Sequence, residues 1–136
     1  MEMAGMNYLA VLVAAIAYML LGAIWYAPFL FGNTWMKAIG KTKEQLESES
    51  TPINYVWGIV TAFIASYGIA RIMLWSGGAT ISDGIRTGFF IGICFVLTAF
   101  WVNDSFEGRP KGLTVINALY HVVGLVIAGI IIGAWQ

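Results

Sequence analysis

The sequence predicts an all-α integral membrane protein, a bundle of four transmembrane helices arranged as two tandem helical hairpins. Three observations lead there. Hydrophobic residues make up 60% of the 136-residue chain and charged residues 10%, against about 25% charged in a typical soluble domain; a soluble fold of this length could not cover so much apolar surface. Four stretches reach the roughly 20 apolar residues that a hydrocarbon core requires, near Met6–Ala27, Ile53–Leu74, Ile85–Val102 and Leu113–Trp135. Small residues recur at every fourth position within these stretches, the spacing that lets helix backbones approach where no hydrophobic force presses them together.

The first stretch is longer than the 7–15-residue core of a signal peptide and carries Glu2 but no basic residue at its flank, so it is expected to remain as a span. Pro28 disfavours helix in the residue before it and ends the span near Ala27. The aromatic run "PFLFGNTWMKAIG" suits the headgroup region and predicts a short interfacial helix from about Thr34, closed by Gly40, within a loop covering 32–52. Thr42 and Gln45 have capping-box spacing and predict a further turn of helix. "ESESTP" reads as a solvated loop stopped by Pro52.

The second span carries Gly58, Ala62, Ser66 and Ala70, and its Arg71 is placed to snorkel to the interface. Ser82 or Asp83 is expected to cap the third span, with Arg86 near enough to pair with Asp83. Gly84, Gly88 and Gly92 form a doubled GxxxG on that span, and Gly124 with Ala128 repeats the pattern on the fourth. These are read as helix-packing residues, first within the chain and then between copies.

Counting Lys and Arg gives five on the side of the two longer loops (Lys37, Lys41, Lys43, Arg109, Lys111) and two on the other (Arg71, Arg86). The positive-inside rule then puts loops 32–52 and 103–112 in the cytoplasm and both termini outside a cell membrane. The formal net charge is zero and no basic tract exists to neutralise phosphates, which argues against nucleic acid as a partner. Cys94 is the single cysteine and His121 the single histidine, so neither an intrachain disulfide nor a metal site is expected, and no cofactor is implied.

"AIWYAPFLFG" (23–32) aligns without gaps with "AFWVNDSFEG" (99–108), and the helices that follow begin "INYVW" (53–57) and "INALY" (116–120). This is the pattern of a duplicated hairpin. It gathers Trp25, Tyr26, Asn54, Trp101, Asp104, Glu107 and Arg109 toward the cytoplasmic side as a candidate cluster. Deeper in the fourth span, Asn117, His121, Gly124 and Ala128 share one helical face. A polar-then-small stripe should face protein or water, and an ionisable group inside a membrane is by default a functional candidate. Asn117 and His121 are therefore the candidate intramembrane polar site, against the structural alternative of hydrogen bonds between helices. Tyr120 projects about 100° away around the helix and is assigned to packing.

At "WYAPFLFGNTWMKAIG" and "FEGRPKGLTVINALYH" the sequence resembles the small bacterial and archaeal membrane proteins catalogued as domain of unknown function 1761, over essentially its whole length. The resemblance implies a four-helix integral membrane protein and no assigned activity. It also implies that Asp is accepted at the position of Asn117; the Asn present here argues against an ionised proton carrier.

No phosphate-binding Gly-Lys loop, nucleophile elbow or pair of intramembrane carboxylates occurs, so an enzyme is not expected. The function expected is transport or permeation of a small solute or ion, with the chain surrounded by membrane lipid and assembled as a homo-oligomer, a dimer or trimer. The alternative is a non-catalytic membrane interaction protein that binds lipid or partner helices.

Overall fold

The computed structural model describes residues 5–136; Glu2, used above to set aside a signal peptide, lies outside them. The described chain folds as α1 (Tyr8–Trp25), α2 (Gly32–Ile39), α3 (Lys43–Glu49), α4 (Pro52–Ser76), α5 (Ile81–Ile91), a π-helical segment (Gly92–Leu97), α6 (Thr98–Glu107) and α7 (Lys111–Ala134). Helices α5 and α6 run on through the π segment, so four helices are long and apolar enough to cross a membrane: Tyr8–Trp25, Pro52–Ser76, Ile81–Glu107 and Lys111–Ala134.

Local signals explain most boundaries. Asn7 caps α1 by accepting from the Ala10 amide, and its own amide group donates to the Trp135 carbonyl at 3.1 Å, tying the start of α1 to the end of α7. After α1 the backbone folds back so tightly that a Cβ at Gly32 would lie 2.3 Å from the Tyr26 carbonyl oxygen. α2 is the short helix expected there, and Gly40 ends it in the left-handed conformation at φ 72°. The Thr42–Gln45 capping box forms.

Several boundaries differ from the sequence reading. α3 runs to Glu49, where a loop was expected, and Lys41 pairs with Glu49 across it. Pro52 opens α4, because proline at the first helical position has no amide to leave unpaired. The third membrane-length helix runs over 81–107, longer than 85–102 at both ends, which leaves only 108–110 between it and α7. Its cap is Thr80, in place of Ser82 or Asp83. Asp83 Oδ2 accepts from the Thr80 hydroxyl at 2.7 Å and from the Ala79 and Thr80 amides. With that carboxylate engaged at the cap, an Asp83–Arg86 pair is not among the ion pairs of the described residues. Arg71 is buried rather than snorkelling. It donates to the Tyr67 hydroxyl at 2.8 Å and lies over the Tyr67 and Trp75 rings, which stabilise the cation in place.

α7 is the central element and packs against α1, α4 and the third membrane-length helix. Glycines set that last contact. A Cβ at Gly84 would fall 1.8 Å from the Gly129 carbonyl oxygen, and one at Gly88 2.4 Å from that of Leu125. A Cβ at Gly92 would fall 2.9 Å from Val122 Cα. The ridge read from the sequence is thus consumed inside one chain, and it supplies no argument for a second copy. On α4 the small-residue stripe is also used internally: Ala62, Ser66 and Ala70 are buried beside Val11, Ala14 and Ala15 of α1.

The residues that face α7 from the third helix, Gly84, Gly88, Gly92, Val96, Phe100 and Asp104, are spaced by four. Around an ideal α-helix such a stripe drifts by about 40° per step. The π segment, with its wider turn, winds more slowly and cancels part of that drift. Thr98 Oγ1 donates to the Cys94 carbonyl at 2.8 Å, satisfying an acceptor where the bonding pattern changes.

Gly88→Ala is expected to destabilise the purified protein by at least about 1–3 kcal/mol, because the new methyl meets backbone. Gly68→Ala, where a Cβ meets nothing within 4 Å, should cause no loss. Thermal unfolding in one detergent, run on both variants, checks the contrast.

Candidate functional site

The site forms where α1 and α7 interlock through two tyrosines and two glycines. Gly124 on α7 makes room for the Tyr18 ring, which a Cβ there would meet at 2.6 Å, and Gly22 on α1 does the same for the Tyr120 hydroxyl at 2.9 Å. Each ring crosses to the opposite helix and donates there. Tyr120 Oη donates to the Tyr18 carbonyl at 3.1 Å. Tyr18 Oη lies 2.6 Å from His121 Nδ1 and 3.4 Å from the His121 carbonyl oxygen.

Tyr18 has one proton to give: donated to Nδ1, the nearer atom, it leaves Nε2 to carry the ring hydrogen, and donated to the His121 carbonyl it takes the Nδ1 hydrogen in return. A neutral imidazole that accepts at Nδ1 carries its own hydrogen at Nε2, and Nε2 has no hydrogen-bond partner among the described residues. On the ring's other side Phe100 stacks at 5.5 Å between centroids and 24° between planes. One turn away, Asn117 Oδ1 accepts from Tyr26 Oη at 2.7 Å. Trp25 Nε1 donates to the Ile116 carbonyl at 3.0 Å.

Two voids flank the His121–Phe100 stack. A cavity of about 340 Å³ lies between α1, α4, the π segment and α7, lined by residues that include Tyr18, Thr61, Val96, Tyr120 and His121. A vestibule of about 300 Å³ lies toward the 108–110 turn, lined by Ala99, Phe100, Asn103, Asp104, Glu107, Arg109 and Asn117. The family described as Protein of unknown function (DUF1761) matches residues 9–133, which include every residue of this site. The chain belongs to the DUF1761 family. No curated protein and no solved structure matches it.

In this DUF1761 chain the expected site residues fall into three groups. Asn117, His121, Trp25 and Tyr26 come together around Tyr120. Asp104, Glu107 and Arg109 form the vestibule rim: Asp104 is buried and accepts from Thr114 Oγ1 at 2.7 Å, while Arg109 Nε lies 2.7 Å from Glu107 and 3.9 Å from Asp104. Asn54 and Trp101 stand apart. Asn54 is exposed in a separate surface pocket beside Trp35 and Lys41, and Trp101 is exposed with Lys111 Nζ 4.5 Å over its ring. The two halves of the apparent duplication therefore play different parts. Asn117 reaches Tyr26 whereas Asn54 does not enter the interior, and 99–108 stays helical to Glu107 where 23–32 turns after Trp25. Among the described residues no group of three or more His, Cys, Asp or Glu could hold a metal ion.

Sequence reasoning passed over Tyr18, Phe100 and Thr114, and assigned Tyr120 to packing alone. Tyr18 carried a usable signal, as the one hydroxyl in the interior of the first span. Phe100 carried none, since its role depends on the π segment.

The Tyr18–His121 bond should be measurable as a coupling. In a double-mutant cycle of Tyr18→Phe and His121→Phe, unfolding in detergent should give an interaction energy of about 0.6–2 kcal/mol. Tyr120→Phe, which keeps the ring and frees only a carbonyl already within helix α1, should cost less than about 1 kcal/mol.

Proposed function

We propose that this DUF1761 protein is a small transport or permeation unit whose path runs past His121 and Asn117. The observation that carries the reading is the pair of voids meeting at one partition, the His121 imidazole stacked on Phe100. A protein built only for packing would fill space beside a mid-membrane histidine. Here two pockets of about 300 Å³ or more, both open to the protein surface, border the stack, one on each side. Phe100 follows the π segment by three residues, and π turns inside α-helices recur at functional sites, so rotation there would move the partition. The vestibule offers carboxylates, a guanidinium and the Asn117 amide; the inner cavity offers an apolar wall with a few polar atoms.

The second reading is a membrane interaction protein that binds lipid, and the apolar wall of the inner cavity favours it. Assembly as a homo-oligomer is retained as part of the transport reading, although the path described runs inside one chain. Light scattering of the purified protein measures it.

The flux test uses proteoliposomes loaded with a pH-sensitive dye, with separate swelling assays in urea and glycerol. Wild-type vesicles should exceed empty liposomes for at least one probe. Asn117→Ala and His121→Gln should each lower that flux by about tenfold or more, and Phe100→Ala should raise it. Wild-type flux and pH response in His121→Gln would remove the site from the path.

We also propose that the α2/α3 side faces the cytoplasm. The basic residues support this: Arg71 is buried against Tyr67 and Trp75, leaving Arg86 as the exposed one on the terminal side, while Lys37, Lys41, Lys43, Arg109 and Lys111 are all exposed on the other. Single cysteines at Lys43 and Lys111 in a Cys94→Ala background should be shielded from an impermeant reagent in intact cells. Strong labelling of both would invert the orientation.

A further inference from the structure

We infer that the inner cavity is a lateral binding site for a neutral apolar molecule carrying one hydrogen-bond acceptor, such as a ketone, ester or quinone carbonyl, taken from the membrane interior. This deepens the proposed function by naming a ligand class for the same cavity, and it rests on that cavity being a ligand site.

Depth comes first. His121 lies ten residues into α7 and Thr61 nine into α4, so each is about 14–15 Å along its helix at 1.5 Å per residue. In a hydrocarbon core about 30 Å thick, both are near the midplane. The direction of the opening follows from packing. α4 packs on α5 but draws away from the π segment and α6, and the cavity occupies the gap, with Thr61 exposed at its edge. A mouth between two membrane-length helices at mid-depth faces acyl chains.

Chemistry then selects the occupant. The wall is formed largely by Met19, Ala62, Ala65, Val96 and Leu125. The Thr61 hydroxyl is already committed to the Trp57 and Gly58 carbonyls at 2.7 and 3.1 Å. The Tyr18 and Tyr120 hydroxyls have donated as described. With Tyr18 donating to Nδ1, the donor left is the Nε2 hydrogen of His121, on a ring held in place by the Tyr18 bond and the Phe100 stack. An unpaired donor in hydrocarbon is costly, and a carbonyl on an apolar body satisfies it without bringing in a charge. Phospholipid ester carbonyls sit near the edge of the hydrocarbon core, about 15 Å from the midplane, and do not reach. About 340 Å³ lies at the small end of the range for small-molecule sites, about 300–1,000 Å³.

The test is displacement of a fluorescent polyene methyl ester from the full-length protein in detergent. The competitors are 2-undecanone, undecane and dioleoylphosphatidylcholine. In the wild type the ketone should displace the probe at a roughly fivefold lower concentration than the alkane, the worth of one net hydrogen bond, and the phospholipid should displace it poorly. His121→Phe should abolish the ketone's advantage, and Ala65→Phe should abolish saturable probe binding by filling the cavity. If Ala65→Phe does not fold, Thr61→Phe at the exposed mouth makes the same test. Equal potency of ketone and alkane in the wild type overturns the inference, as does a ketone preference that survives in His121→Phe. Displacement by the phospholipid as readily as by the ketone overturns it too. A ketone preference without flux keeps this ligand and sinks the path; flux without the preference keeps the path and sinks this ligand.

Discussion

The close approach of α7 to the third membrane-length helix is the constraint on which the rest of the structure depends. Between Gly84 and Gly129, and between Gly88 and Leu125, backbone meets backbone with no room for a methyl group. In a lipid environment burial supplies little drive to bring helices together, so packing at van der Waals contact has to do so. Once that seam is set, the rotation of α7 about its axis is set with it. The face carrying Gly124, Tyr120 and His121 turns toward α1, and the tyrosine exchange with Tyr18 and Gly22 follows. α4 then closes against α1 through Ala62, Ser66 and Ala70.

The π segment is what allows one helix to serve both the seam and the site. Up to its first residue, Gly84, Gly88 and Gly92 require contact at backbone distance. From its later residues onward, Val96 borders a cavity, Phe100 needs the width of an aromatic stack, and Asp104 must reach Thr114. A straight α-helix would carry a stripe with period four progressively off the α7 face. The wide turn resets its phase at the point where close packing gives way to open space. Val96, within the π segment, borders the cavity, and Phe100, one turn beyond, forms the partition. A change in that turn is therefore felt at both.

Much of the architecture was legible from residue types. The four membrane-length helices, the α2 helix closed by Gly40, the Thr42–Gln45 box and the roles of Gly84, Gly88 and Gly92 all follow from period and composition. What was not legible depended on partners distant in sequence. Arg71 looks like an interfacial anchor until Tyr67 and Trp75 are seen to hold it in place. Pro52 looks like a stop, although proline can equally open a helix, and only the chain after it decides. Asn54 and Asn117 occupy matching positions in the two hairpins, yet only Asn117 finds a tyrosine. Asn117 and His121 were visible as polar groups in a greasy helix; Tyr18, which bonds the imidazole at Nδ1, is 103 residues away from it.

The inner cavity costs little if it opens into a membrane. A sealed void of this size within a soluble core would forfeit dispersion contacts on every wall and would cost many kcal/mol by the usual scaling with volume. A void that opens sideways at mid-depth is filled by whatever the bilayer offers, so an apolar wall there costs little. Polar atoms are the expensive part. Tyr18, Tyr120 and Thr61 reduce that cost by turning their hydroxyls inward to the protein. His121 turns one nitrogen to Tyr18 and keeps the other without a protein partner among the described residues. A leucine at 121 would pack the same space without that penalty, and Ser66 on α4, whose hydroxyl is also buried without a hydrogen-bond partner among the described residues, is sealed inside the helix packing. His121 differs because its unpaired nitrogen belongs to a side chain that borders an accessible cavity. The cost of leaving it unpaired is then a binding energy for the molecule that arrives with an acceptor.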